Sequence, residues 1–269
     1  MAVTERFHDR VAVVVEDHVA EVRLARPKQH NGLDWPMIDG LLTAQHRLVE
    51  LAKEGDEGLR AVILGGEGDS FCAGLDMGAI MGEPTRLPTL LEADAAGVNT
   101  VQRLALGWRE VGVPVIAALH GHVYGGGLQI ALGADIRVSH PEARLALLEI
   151  VWGIIPDMGI SVTASDIRGD VLRELAWTGR KVTGEEALAL GLVTRLADDP
   201  WRTARDIATA VAERSPRAVA AARELFTLAP DMPPRERLAL EARLQHGLLG
   251  GEEQLEAVAA RLAGRQPRF

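Results

Sequence analysis

The sequence has a single cysteine, Cys72, and this scarcity excludes two common ways of holding a fold together. A disulfide framework needs paired cysteines, and structural zinc sites of the multi-cysteine type need several thiolates. Aromatic residues are also few, at 4% of the 269 residues, whereas hydrophobic residues reach 47%. We therefore expect a globular protein whose core is built mainly from Ala, Val, Leu and Ile.

Basic residues are outnumbered in this chain, with 29 Lys and Arg against 38 Asp and Glu and a net charge of −9. Sequence-independent binding of nucleic acid needs a basic face, so we expect no nucleic-acid partner. Every long apolar stretch is interrupted by Gly, His or Pro well short of a membrane span. The first ten residues carry four charges and lack the apolar segment of a signal peptide. These absences predict a cytoplasmic protein with no membrane partner.

Strand and helix patterns alternate along most of the chain, which predicts an α/β fold. Two β-branched runs, Val11–Glu16 and Val19–Leu24, predict a hairpin. Helical spacing follows a capping Asp34 and stops at Gly55. Further strands are predicted at residues 61–64, 113–119, 136–138 and 145–147, and further helices at 97–110 and 127–133. Residues 77–99 show no clear period, and we expect an irregular segment there.

The last quarter of the chain follows a different pattern. Residues 201–214, 216–228 and 233–262 each show helical spacing, with no strand pattern between them. These helices carry more apolar residues than they can bury alone, so they are expected to pack on the core or on a neighbouring subunit. We therefore divide the chain into an α/β core, residues 1–194, and a helical C-terminal region, residues 195–269.

Two glycine-rich turns each follow a predicted buried strand and precede a predicted helix. They are residues 70–76 (SFCAGLD) and 120–129 (HGHVYGGGLQ). Glycines there let the backbone approach a ligand closely, and two such turns can aim two N–H groups at one oxygen, as in an oxyanion hole. Ordinary turns are the alternative for both segments. Neither matches a Walker loop or a complete dinucleotide fingerprint.

A third segment, residues 149–159 (EIVWGIIPDMG), holds two carboxylates among apolar neighbours. Carboxyl groups in apolar surroundings have raised pKa values that suit acid–base work near neutral pH. Glu149 and Asp157 are therefore candidates for catalysis, and turn capping or pairing with arginine is the alternative. Trp152 lies beside Glu149 and is a candidate wall of a substrate pocket, as is Met77, with ordinary packing as the alternative for each.

Taken in order, these segments resemble the crotonase superfamily, the enoyl-CoA hydratase/isomerase family. The resemblance extends to residues 26–33 (RPKQHNGL), 177–180 (WTGR) and 187–193 (ALALGLV), and so covers nearly the whole chain. It implies an α/β fold with a crotonase-like ββα spiral core and a helical C-terminal region that covers the CoA site and mediates oligomerisation. Assembly as a homotrimer or a dimer of trimers is also implied. The implied substrate is an acyl-CoA, with coenzyme A as part of the substrate and no separate cofactor or metal.

The resemblance also assigns roles to individual residues. The backbone N–H groups of Leu75 and Gly126 correspond to the oxyanion hole that holds the thioester oxygen. Segments around the two glycine turns and residues 26–30 would bind the rest of the substrate, through Lys28, His30, Ala73, Gly74, Asp76, Met77 and Gly125. Glu149 matches one of the two catalytic carboxylates of the family's hydratases, but the other falls on Gln129. An amide can orient a water molecule and cannot accept its proton.

This departure leaves three functions open. The first is isomerisation of an enoyl-CoA, in which Glu149 removes a proton beside the thioester and Glu149 or Asp157 returns one elsewhere. Asp157 matches an aspartate found in dienoyl-CoA isomerases, which supports this assignment. The second is hydration of a 2-enoyl-CoA by Glu149 and Asp157. The third is an acyl-CoA binder without catalytic activity.

Overall fold

A seven-stranded mixed sheet and a smaller sheet form the framework of the computed structural model, which describes residues 3–54 and 58–269. The strands are β1 (Val3–Phe7), β2 (Val11–Glu16), β3 (Val19–Leu24), β4 (Ala61–Gly66), β5 (Val115–Leu119), β6 (His122–Tyr124), β7 (Ile136–Ser139), β8 (Arg144–Ala146), β9 (Val182–Thr183) and β10 (Arg195–Leu196). The α-helices are α1 (Trp35–Leu51), α2 (Met77–Met81), α3 (Thr100–Glu110), α4 (Gly126–Leu132), α5 (Ile160–Thr163), α6 (Gly169–Thr178), α7 (Gly184–Ala189), α8 (Pro200–Ala212), α9 (Pro216–Leu228), α10 (Pro234–His246) and α11 (Glu252–Leu262). Short 3₁₀ helices cover Pro27–Gln29, Pro84–Leu90, Glu149–Trp152 and Ala229–Asp231.

The large sheet has the order β1-β2-β3-β4-β5-β7-β10. Its first three strands form an antiparallel meander, and the remaining neighbours pair in parallel. The predicted hairpin of β2 and β3 is confirmed, and each strand begins and ends at the predicted residues. Its tight turn places Asp17 and His18 at φ values of 49° and 65°, a backbone conformation that Asp and His tolerate better than most residues. β1 was not predicted, because three of its five residues are polar or charged.

The small sheet has the order β6-β8-β9, and both glycine turns lie at its β6 edge. Cys72 bridges to Val123 of β6, and Leu75 bridges to Leu33, both in parallel orientation. Three segments that are distant in the sequence therefore lie side by side, near residues 31–33, 72–76 and 122–126. This lateral contact positions the candidate site.

Alternating side chains of the large sheet serve two hydrophobic clusters. Val62 and Leu64 of β4 point into the larger cluster, which also contains buried residues of α1 and α3. Ala61 and Ile63 point the other way, onto Ala204 and the rest of the apolar stripe of α8. Because consecutive strand residues face opposite sides, this strand is apolar throughout, as predicted for a strand buried on both faces.

Several predicted boundaries differ from the structure. The α1 helix ends at Leu51, and its predicted end at Gly55 lies outside the described residues. The predicted start at residue 97 moves to Thr100, because Asn99 caps α3 with a capping box. The single helix predicted over 233–262 is wrong: α10 and α11 are separated at residues 247–251 (GLLGG), where three glycines disfavour a continuous helix.

The C-terminal region predicted as helical also supplies a strand, since β10 pairs with β7 of the large sheet. The division into residues 1–194 and 195–269 stays a prediction. Among the described helices, none combines the length and the apolar character needed to cross a bilayer.

Candidate active site

The two glycine turns are joined by backbone hydrogen bonds. Cys72 N–H donates to His122 O at 3.0 Å, and Tyr124 N–H donates to Cys72 O at 2.9 Å. Ala73 N–H donates to His30 O at 2.9 Å on the other side. The first turn is therefore held between the second turn and residues 30–33, as an added strand would be.

Neither Leu75 nor Gly126, the two predicted oxyanion donors, has an acceptor for its backbone N–H among the described residues. In the bridge to Leu33, the hydrogen bonds involve Gly74 O and Asp76 N, so the Leu75 N–H lies on the opposite side and has no acceptor in the described chain. Gly126 is the first residue of α4, where N–H groups lack an intrahelical partner, and it donates to no described acceptor.

These two amides lie on adjoining segments because glycine permits a very close approach. Gly74 has a φ of 86°, and a Cβ at this residue would lie 2.7 Å from Tyr124 O and 3.5 Å from Gly126 N. Gly125 has a φ of 51°, and a Cβ there would lie 3.4 Å from Glu149 Oε1. A side chain at Gly74 would push the turns apart, and the Glu149 carboxylate lies beside the residue that precedes the Gly126 amide.

The Glu149 side chain is buried, with the residue only 7% exposed. Its Oε1 accepts a hydrogen bond from Gln129 Nε2 at 2.6 Å, while Oε2 has no hydrogen-bond partner among the described residues. Burial raises the pKa of this carboxyl and the charge of Asp157 raises it further, whereas hydrogen bonding from the Glu149 backbone and from Gln129 lowers it. A buried carboxylate with one unpaired oxygen is suited to accept a proton.

The charge of Asp157 acts on Glu149, and no hydrogen bond joins the two side chains in the described chain. Asp157 is exposed as a whole residue, and the desolvation that its carboxyl group undergoes raises the pKa of that group. The next residue, Met158, is buried, and its N–H donates to Gln129 Oε1 at 2.9 Å. The structure therefore brings Glu149, Gln129 and the 157–158 segment together around α4.

Some predicted substrate-binding residues are already engaged within the protein. Asp76 accepts from Ala79 N–H as the cap of α2 and pairs with Arg26 Nη1 at 2.8 Å. These hydrogen bonds lower the pKa of Asp76, so this carboxylate holds the turn in place. Met77 begins α2 beside it. Trp152 is 60% exposed in the single chain, and its place in the wall of a substrate pocket stays a prediction.

A column of aromatic and cationic side chains next to the first turn was missed from the sequence. The ring centroids of His30 and His122 lie 5.0 Å apart in an edge-to-face arrangement, and those of His122 and Tyr124 lie 4.9 Å apart in a stacked one. Lys181 Nζ lies 5.0 Å from the centroid of the Tyr124 ring. Burial, together with the charges of His30 and Lys181, lowers the pKa of His122. No described carboxylate forms an ion pair with any member of the column.

Neither a reactive thiol nor a metal cluster accompanies this site. Burial raises the pKa of Cys72 to about 12, and its thiol donates to Asn31 O, so a nucleophilic thiolate is disfavoured. Within the described ranges, no three His, Cys, Asp or Glu side chains are grouped to hold a metal ion.

Comparison with known proteins matches the chain to one enzyme family. The family model described as enoyl-CoA hydratase/isomerase matches residues 15–269. The (E)-benzylidenesuccinyl-CoA hydratase of Thauera aromatica is 30% identical, over 96% of this chain and 98% of that protein. The carnitinyl-CoA dehydratase of Proteus mirabilis is also 30% identical, over 93% and 94%.

The crystal structure of an enoyl-CoA hydratase from Bacillus anthracis superposes with a TM-score of 0.84 at 28% identity, covering 97% of this chain and 98% of that one. This similarity confirms the predicted α/β fold with a crotonase-like core. The family predicted from the sequence motifs is also confirmed: the chain belongs to the enoyl-CoA hydratase/isomerase family.

Proposed function

We propose that this protein is an enzyme that isomerises enoyl-CoA thioesters through an enolate held by the Leu75 and Gly126 amides. One observation carries the proposal: Oε2 of buried Glu149 lies in the same site as the backbone N–H groups of Leu75 and Gly126, and none of the three has a hydrogen-bond partner in the part of the chain that the structure describes. A base and an oxyanion hole are the two parts that proton removal beside a thioester requires.

In the proposed reaction, Glu149 removes a proton from C2 of a 3-enoyl-CoA. The C–H electron pair forms a C1–C2 double bond, and negative charge collects on the thioester oxygen, where each amide contributes about 3 kcal/mol of stabilisation. A proton then adds at C4, from Glu149 or Asp157, and the double bond moves to C2–C3. No atom is gained or lost, so coenzyme A serves only as part of the substrate and no separate cofactor takes part.

Hydration of a 2-enoyl-CoA is the second candidate function. It needs a second group to handle the proton of the attacking water, and Gln129 cannot accept one. Asp157 is the candidate for this second group, since it is a carboxylate whose charge reaches Glu149, and the T. aromatica relative is named as a hydratase. In this reaction Asp157 would position the water that adds to the double bond.

Binding of the coenzyme A part is assigned to the surface beside the first turn. Lys28 and His30 lie before the first turn in the sequence, and His30 contacts the aromatic and cationic column through His122. Ala73, Gly74 and Gly125 supply backbone that a pantetheine chain can approach closely. We propose an acyl-CoA as the small-molecule partner, within fatty-acid or related acyl-CoA metabolism.

We further propose a homotrimer or a dimer of trimers. The segment after Glu149 exposes consecutive apolar residues in the single chain, including Val151 at 68% and Ile155 at 70%. Exposed apolar patches of this kind mark protein interfaces. Light scattering coupled to gel filtration will report a mass of three or six chains, and a monomer at micromolar concentration would refute the assembly.

The decisive experiment compares the wild-type protein with Glu149→Gln on a series of 3-enoyl-CoA and 2-enoyl-CoA thioesters. We expect wild-type turnover of the 3-enoyl series, loss of that turnover by about 10²–10⁴-fold in the variant, and unchanged binding of a saturated acyl-CoA. Equal rates in the two proteins would refute the assignment. Binding without turnover by the wild type would identify a catalytically inactive acyl-CoA binder.

A further inference from the structure

Gln129 is a buried amide of α4, and hydrogen bonds at both ends fix its orientation. Its Oε1 accepts from Met158 N–H at 2.9 Å, and a backbone N–H can only donate. The Nε2 end is therefore the one that lies 2.6 Å from Glu149 Oε1 and donates to it. The reversed amide would place an oxygen against the carboxylate and an NH₂ group against a second donor.

We propose that Gln129 is a positioning residue for Glu149: it holds Oε1 and leaves Oε2 as the atom that transfers protons. This inference rests on the proposed function, since it assigns a role in the same site. Its geometric basis is the contrast between the two oxygens of one buried carboxylate, of which one has an amide partner and the other has none in the described chain.

The same amide sets the position of a second part of the site. Met158, the residue held by Gln129 Oε1, places its sulfur 3.0 Å from where a Cβ on Gly126 would lie. Gln129 therefore links the carboxylate, the segment that carries Asp157 and the start of α4. A displacement of this amide changes the place of the proton-transfer atom relative to the oxyanion donors.

The neutral charge of Gln129 matters as much as its length. If residue 129 were a carboxylic acid at the 2.6 Å separation that joins Gln129 and Glu149, the two carboxyl groups would share one proton, and one of their two apparent pKa values would rise strongly. A neutral N–H donor instead favours the ionised carboxylate. Gln129 thus adds to the backbone hydrogen bonding that favours ionised Glu149, in a site where burial and Asp157 both disfavour its charge.

Two variants separate this role from a purely structural one. Gln129→Glu keeps an acceptor for Met158 N–H but replaces the donor that faces Glu149 with an oxygen. Gln129→Met is close in size and removes both contacts. Gln45→Glu is the matched control, because Gln45 is another buried amide, whose Nε2 donates to Leu104 O instead.

The first readout is the pH dependence of kcat/KM for a 3-enoyl-CoA. Because Glu149 acts in its ionised form, we expect the acid limb to move to higher pH by at least about one unit in Gln129→Glu and to move in the same direction in Gln129→Met. KM changes far less than kcat, and Gln45→Glu keeps the wild-type profile. A Gln129→Glu profile that coincides with the wild type would overturn the inference.

The second readout does not depend on turnover. Carbon-13 NMR titration of the glutamate carboxyl carbons, with Glu149→Gln identifying the signal, gives the protonation of Glu149 directly. We expect its midpoint to rise in Gln129→Glu, and an unchanged midpoint would overturn the role of Gln129. If the wild-type protein turns over no enoyl-CoA while this midpoint shifts, the proposed function fails and the positioning contact stands.

Discussion

Substitution of Gly74 by alanine tests whether the first turn must lie as close to the second as the structure has it. A Cβ at this residue would lie 2.7 Å from Tyr124 O, and the φ of 86° is one that side chains rarely adopt. The left-handed backbone costs alanine about 1–2 kcal/mol, and the contact with a backbone oxygen forces the turns apart. We expect the Leu75 amide to move with its turn and lose its aim at the thioester oxygen.

The expected loss in kcat equals the contribution of one oxyanion donor to transition-state stabilisation. Loss of such a donor costs about 2.7–4 kcal/mol of transition-state stabilisation, or about 10²–10³ in kcat. Gly112→Ala is the matched control, since Gly112 has a φ of 88° and open space around its Cβ position. Steady-state kinetics and thermal unfolding of both variants separate the effects. Equal loss of stability with equal kcat in the two variants would refute the reasoning.

Three further predictions concern the carboxylate and the column beside it. Burial raises the pKa of Glu149, so the protein gains stability from this group below the unfolded-state pKa and loses it as pH rises through the folded-state pKa. Glu149→Gln should therefore raise Tm more at pH 7 than at pH 4, and equal shifts at both pH values would contradict this. Gln129→Glu should raise hydration of a 2-enoyl-CoA relative to isomerisation, because it supplies a second carboxyl, and an unchanged product ratio would count against that reason. Lys181→Ala should raise KM for a CoA thioester but not for the matching pantetheine thioester, which lacks the nucleotide phosphates, and equal changes for both would exclude a phosphate contact.

Much of the site was predictable because glycine patterns report backbone geometry. Glycine at residue 74 and at residues 125–127 indicated a close approach of two turns, and the structure brings these turns together. The strands β2, β3 and β4 followed from their β-branched and apolar runs. Local patterns therefore predicted both the elements and the place where they meet.

Contacts between distant side chains were not predictable from the same patterns. The Gln129–Glu149 hydrogen bond spans 20 residues and depends on how α4 packs against a 3₁₀ helix. Alternation along β6 was a signal that His122 and Tyr124 share a face, but nothing in the sequence placed Lys181 over the ring. Asp76 stays a predicted substrate-binding residue, and its ion pair with Arg26 joins residues 50 positions apart, a contact that no local pattern indicated.

The central claim is that the Leu75 and Gly126 amides polarise a thioester carbonyl. Isotope-edited infrared difference spectroscopy of a carbonyl-labelled 2-enoyl-CoA bound to Glu149→Gln measures this directly, because hydrogen bonds to the carbonyl oxygen lower its stretching frequency. We predict a frequency below that of the same thioester in water, and a partial return toward the aqueous value when Gly74→Ala is added. A bound carbonyl with the aqueous frequency in both proteins would contradict the account.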